Sequence, residues 1–208
     1  MNLSLKAKIL LLTVLPLIAL SLTISWMYQR QAKELAQQQV DIFEENLMAS
    51  RREALKNHVH LAMNSIFPVL EQLDGGLEHS IAEYQIKHQL RGMRYGSDGY
   101  FFAYTPDGIN LVHPTQPNLE GQDLIGLQDE NGQFVIRDLL NIAKAGGGYY
   151  QYLWRKPTDG NDVNKLSYVV QIPELGWMMG TGLYVDDIAK EIALMKQKVA
   201  SNVRNSVW

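Results

Sequence analysis

The sequence contains no cysteine, which excludes disulfides, zinc–thiolate centres and cysteine nucleophiles. It has no block of lysine or arginine, and its 19 basic residues are outnumbered by 22 acidic ones, for a formal net charge of −3. A nucleic-acid surface needs the opposite balance, so no nucleic acid is expected as a partner. Metal-ligand spacings are missing too. His58 and His60 are two residues apart and point in different directions on a helix. Asp129, Glu130 and Asn131 lack the twelve-residue ligand spacing of a calcium loop and read as a turn. No glycine-rich loop leads from a strand into a helix as phosphate binding requires. Paired carboxylates and nucleophile motifs are also absent. The expectation is a region with no catalytic residue, metal or cofactor, a binding module rather than an enzyme, with a kinase or cyclase left open for an output module downstream.

Charge is absent from Ile9 to Trp26, ILLLTVLPLIALSLTISW. Eighteen residues at about 1.5 Å each reach roughly 27 Å, close to a bilayer core. Lys6 and Lys8 precede the run, which puts the N-terminus in the cytoplasm; Arg30 and Lys33 follow it and work against that orientation. Trp26 and Tyr28 lie where an interfacial aromatic belt would fall. A cleaved signal peptide would have a shorter apolar region and a small-residue cleavage site. The reading is therefore an uncleaved anchor: residues 1–8 cytoplasmic, 9–28 transmembrane, and the remainder outside the membrane.

From Met27 to Leu73 the pattern is helical. Ala36, Val40, Phe43, Leu47, Ala54 and Leu61 are expected on one stripe, continued after a slip by Ile66, Leu70 and Leu73. Pro68 is a candidate kink, and Asp74-Gly75-Gly76 a stop. A second helix is expected over Leu77–Arg94, with Leu77, Ile81, Tyr84 and His88 on one face. Strands are expected at Tyr100–Tyr104, Asn110–His113, Gly148–Trp154, Lys165–Gln171 and Trp177–Tyr184, with a hairpin turn at Pro106-Asp107-Gly108. A long loop follows His113, then a short helix near Phe134–Ala145; a loop of that length in a compact domain is usually functional. The segment 185–208 is helical again, with Asp186 or Asp187 able to cap its start, and reads as an exit helix toward a second membrane segment beyond the sequence. Helices before strands give an α+β class with an antiparallel sheet.

Four blocks in order, RYGSDGYFFAYTPDGINLVHPTQPNLEGQD, GGGYYQYLWRKP, the Lys165-x-x-Tyr168 spacing and GWMMGTGLYVDDI, closely resemble the single Cache extracytoplasmic sensor domain of bacterial chemoreceptors and sensor histidine kinases. The resemblance covers roughly Met27 to Lys198. It implies a PAS-like antiparallel sheet with a long N-terminal helix, a pocket between sheet and covering loops, and a sensor spanning 29–184. It also implies a bacterial inner-membrane receptor with its sensor in the periplasm. Members of this type often bind short carboxylates such as acetate, propionate, lactate or pyruvate; others bind urea.

A buried carboxylate needs a fixed cation or several donors. Lys165 sits in the apolar strand KLSYVV and matches the family's lysine; otherwise it is an edge lysine facing water. Tyr168 faces the opposite side by alternation and reads as core. His113 closes LVHP and matches the family's histidine. Arg94 and Arg91 end the second helix, where cations also serve the helix dipole; Arg94, directly before Tyr-Gly, fits the family pattern better. Tyr100 and Phe102 share a face of the first strand with Tyr104, as Tyr152 does with Tyr150 and Trp154 on the third. These stripes serve as core or as pocket wall with polar tips. The candidate ligand site is thus Arg94, Tyr100, Phe102, His113, Tyr152 and Lys165.

The expected partners are a small organic acid of two to four carbons, a membrane, and a second copy of the chain paired through the long N-terminal helix. A protein-binding or ligandless regulatory module is the competing reading.

Overall fold

The computed structural model describes residues 4–205; Trp208 and the other residues expected at the end of the exit helix lie outside them. The chain forms two compact units. One holds the described residues up to Asn46 together with those from Lys190 onward, and the other is Leu47–Ala189.

In the first unit, the uncharged run lies in helix α1, Leu5–Asp74, which is long and apolar enough there to cross a membrane. The helix is continuous through Pro16 and Pro68. Among the described residues of this unit, Val40, and Val199 of the last helix, are the buried apolar positions.

In the second unit, the rest of α1 buries Leu55, Val59, Ala62, Ile66, Val69 and Leu70. This spacing of three and four residues keeps one stripe on the core. Leu61, expected on that stripe, is 62% exposed. The slip in the pattern comes before it, not after. Helix α2, His79–Gly92, likewise buries Ala82, Ile86 and Leu90. Of the expected face, Leu77, just before the helix, packs on the core, but Ile81 and Tyr84 are exposed, and the Tyr84 and His88 rings stack on each other instead. Both faces have helical spacing; the one with the small Ala82 packs closer to the sheet.

The sheet has six strands: β1 Arg94–Tyr95, β2 Gly99–Tyr104, β3 Asn110–Val112, β4 Gly148–Arg155, β5 Asp162–Ile172 and β6 Trp177–Tyr184. All pairings are antiparallel, in the order β1-β2-β6-β5-β4, with β3 also on β2. One face carries Phe101, Ala103, Trp177 and Met179 and packs on α1 and α2. The other carries Tyr100, Phe102, Tyr104, Tyr152, Val169 and Met178 and is covered by helix α3, Val135–Lys144. Strand alternation alone divides these sets. The last helix, α4, Val185–Asn205, follows β6 without a loop.

Candidate functional site

On the α3-facing side, Tyr152 of β4, Lys165 of β5 and Tyr184 of β6 lie in one cross-strand row. Gly180 and Gly182 of β6 face the same way by alternation. A Cβ at Gly180 would meet Phe102 Cζ at 2.9 Å, and one at Gly182 would meet Lys165 Cε at 2.7 Å. The two glycines therefore leave a hollow in which the Lys165 side chain lies.

Lys165 is 1% exposed. Its ammonium donates to Tyr100 Oη at 2.7 Å and lies over the rings of Tyr100, Phe102 and Tyr184, 4.0, 5.3 and 5.4 Å from their centroids. Among the described residues it makes no salt bridge, and burial holds its pKa well below that of an exposed lysine. Ring faces offset part of the cost of burying a cation, but a buried charge without a counter-ion remains expensive. Such perturbation beside a cavity makes this a candidate functional site.

His113 follows β3 directly and is also 1% exposed. The Gln116 amide donates to its Nδ1 at 3.1 Å. Nε2 therefore carries the proton, and it faces Tyr100 Oη at 3.4 Å. Burial first, then the charge of Lys165, lowers the His113 pKa to about 3, so the ring is a neutral donor. Tyr100 is raised to about 12 by burial, with hydrogen-bonding neighbours Tyr184, Thr115 and Trp154 pulling the other way. Tyr152 Oη and Ser167 Oγ are 2.9 Å apart.

These groups surround a cavity of about 10 Å3, lined by Phe102, Tyr104, His113, Tyr152, Trp154 and Lys165, with Ile136 and Leu139 of α3 as its apolar roof. Trp154 Nε1 is buried there, near Tyr100 but without a hydrogen bond of good geometry among the described residues. The indole also lines a wider, open cleft of about 280 Å3 beside Gln116, Leu127 and Glu130.

Of the six sequence candidates, Phe102, His113, Tyr152 and Lys165 line this cavity, and Tyr100 bridges two of them. Arg94 does not line the cavity: it is exposed on the two-residue edge strand β1, although its charge reaches His113 and helps to lower that pKa. Arg91 does not line the cavity either and instead holds the Glu120 carboxylate, with Nη2 2.6 Å from Oε2. Tyr168 packs on the opposite face. Asp129 closes a turn, accepting from the Asn131 and Gln133 amides and, across the loop, from Leu153. Among the described residues, no three His, Asp or Glu side chains gather as a metal would require. Trp154, Ser167, Glu120 and the two glycines were missed as site residues. The Gly180-x-Gly182 spacing inside a strand was a readable sign of a close approach.

A PAS-like antiparallel sheet, with a small donor-lined cavity under a helix and loop, is the architecture of a small-molecule-binding domain. Residues 31–207 match the Cache domain model, and the chain belongs to the Cache domain family. It is 34% identical to the sensor histidine kinase MctS of Rhizobium johnstonii over 203 residues, covering 98% of this chain. The chain spans only 44% of that relative's length. A methyl-accepting chemotaxis protein from Vibrio parahaemolyticus shares the structure with a TM-score of 0.65 at 35% identity, covering 72% of this chain and 99% of its own. A Cache chemosensory domain described for its recognition of carboxylic acids matches at a TM-score of 0.63 and 30% identity, covering 68% of this chain and 97% of its own.

Proposed function

We propose that the chain is the extracytoplasmic sensor of a transmembrane receptor, a chemoreceptor or a sensor histidine kinase, and that it binds a carboxylate of two to four carbons. The observation that carries this reading is the buried Lys165 ammonium, which has no acidic partner among the described residues and shares a cavity with His113 and the Trp154 indole N–H. A carboxylate supplies the missing negative charge and accepts from these donors. The cavity of about 10 Å3 holds about one water as it stands, so the acid must widen it, with Phe102, Ile136 and Leu139 as the apolar wall for its short tail. The relative described for carboxylic acid recognition supports the same ligand class.

In this reading residues 9–28 anchor the chain in the bacterial inner membrane. Residues 29–184 sense in the periplasm, and residues 185–208 lead to a second crossing and an output module. Two copies pair through α1. The acid enters from the cleft beside Trp154, and the change is passed through the end of β6 into α4. Binding shifts that equilibrium only by its different affinity for the two states.

The test is thermal unfolding and calorimetry of the chain with acetate, propionate, lactate and pyruvate, with urea and amino acids as controls. Acid at 100 times its Kd should add about 2.7 kcal/mol of stability. Stabilisation by a short acid that is lost in Lys165→Ala and weakened about tenfold, but still measurable, in His113→Ala supports the reading, whereas no response to any acid removes this ligand class.

A further inference from the structure

His113 reaches the cavity from a loop, and a loop side chain needs something to fix it. The carboxylate of Glu120 does this from seven residues away. Its Oε1 accepts the His113 backbone N–H at 2.9 Å. The same carboxylate is gripped at both oxygens by Arg91, with Nε 3.3 Å from Oε1 and Nη2 2.6 Å from Oε2. Arg91 stands in the last turn of α2, 29 residues away in sequence. Between His113 and Glu120 the chain turns back through the 3-10 turn Pro117–Leu119, and the Gln116 amide donates both to His113 O and to its Nδ1. Glu120 thus closes the loop whose amide sets the tautomer of His113. The pair is bidentate, which fixes its geometry, but Arg91 is 44% exposed, so water screens its charge.

We infer that Glu120, held by Arg91, is a positioning residue for the acid site: it fixes the His113 loop so that Nε2–H points into the cavity, without touching the ligand. The inference rests on the carboxylate reading given above. The charged groups around Glu120 are Arg91 and Lys87 of α2, and His113 faces it with its amide. Burial works to raise the Glu120 pKa, but Arg91 and the amide more than offset it, holding the carboxyl below its usual range. The clamp therefore stays charged at neutral pH.

The test compares wild-type chain with Glu120→Ala, Glu120→Gln and Arg91→Ala, titrating acetate, propionate, lactate and pyruvate in turn. Glu120→Ala should weaken the best-bound acid by about tenfold, the scale of one charge-assisted hydrogen bond. Glu120→Gln keeps an acceptor for the amide and should fall between; Arg91→Ala, at an exposed pair, should lose least. The signature of positioning is that Glu120→Ala adds no further loss on a His113→Ala background. In acid-free protein, the His113 ring nitrogens should change from one acceptor and one N–H to averaged signals. If Glu120→Ala fails to fold, Glu120→Gln and Arg91→Ala carry the same cycle. Wild-type affinity in these variants, or equal losses with and without His113, overturns the inference and leaves the carboxylate reading standing. A wild-type chain that binds none of the acids overturns the reading itself, and with it this role for Glu120.

Discussion

Lys165 Nζ lies 2.7 Å from Tyr100 Oη, joining residues 65 apart in sequence through a side chain that is 1% exposed. The contact satisfies one of the three ammonium protons with a neutral hydroxyl and leaves the charge itself uncompensated. Because the Lys165 pKa is lowered in the fold, the unfolded chain binds more protons between that lowered value and 10.5, the value of an exposed lysine. Stability attributable to this group therefore rises with pH across that window. A carboxylate reverses the shift by favouring the charged form. At a pH above the lowered value, where the acid-free lysine is neutral, acid binding should take up protons, seen as a calorimetric enthalpy that depends on the ionisation heat of the buffer. Lys165→Met should abolish binding yet stabilise the acid-free protein by about 1–4 kcal/mol, as when apolar groups replace buried charge. Enthalpies that match in all buffers, together with a destabilised Lys165→Met, would count against the uncompensated charge.

His113 titrates in the opposite direction from a paired histidine. Its folded pKa is about 3, against 6.5 for the free side chain. Between these values the unfolded chain takes up a proton that the fold refuses, so stability falls as pH drops from 6.5 toward 3. Other carboxylates, Glu120 among them, add their own acid loss. The difference between wild type and His113→Gln isolates the histidine. Melting temperatures measured from pH 7 to pH 4 should fall less steeply in His113→Gln. Parallel curves would mean that the imidazole is open to water.

The elements were legible because their signals are local. Glycine or proline flanks every expected strand on at least one side, and only the end of Trp177–Tyr184, which runs straight into α4, lacks one; the apolar run in α1 needs no partner to be recognised. Lys165 and His113 were legible as polar residues in apolar segments. Helix faces were harder to read: Ala82-Ile86-Leu90 and Ile81-Tyr84-His88 have equally helical spacing, and only the approach of the sheet decides between them. Arg94 looked like a carboxylate grip because its place beside the helix end was visible, whereas its exposure on an edge strand depends on pairing with Tyr100. Trp154 was visible only as part of an aromatic stripe, and Glu120 carries no local signal; their roles come from contacts that the chain makes only after the loop has closed.

Gly182 should be intolerant of any side chain. A Cβ there would meet Ser167 Oγ and lie 2.7 Å from Lys165 Cε. Its φ is not in the left-handed region, so the penalty is steric alone. Gly182→Ala should push the lysine stem from the hollow, weakening acid binding by at least about tenfold, with an overpacking cost of about 1–3 kcal/mol. Calorimetry and denaturant unfolding of the one variant check both figures. Unchanged affinity would show that Lys165 is not held by the β6 hollow.

Lys156 ties the site to the helix that leaves it. It follows β4, is 3% exposed, and donates to Asp186 at 2.9 and 3.1 Å and to Asp187 at 2.8 Å. Burial works against its charge, and the two carboxylates more than offset this, raising its pKa above that of an exposed lysine. Asp186 and Asp187 form the first turn of α4. Tyr184, the residue just before that helix, donates to Arg155 O at 2.8 Å, and its ring lies 5.6 Å from Lys156 Nζ and 5.4 Å from Lys165 Nζ. A ligand that draws Lys165 from the Tyr184 ring thus acts on the turn that Lys156 holds. Lys156→Met should leave the acid Kd within about twofold, because it removes no cavity group, while amides of residues 185–189 exchange about tenfold faster or more for loss of charge-assisted bonds at the helix start. Acid should slow exchange at those amides in wild type and fail to do so in Lys156→Met. Equal protection by acid in both proteins would place the route from site to α4 elsewhere in β6.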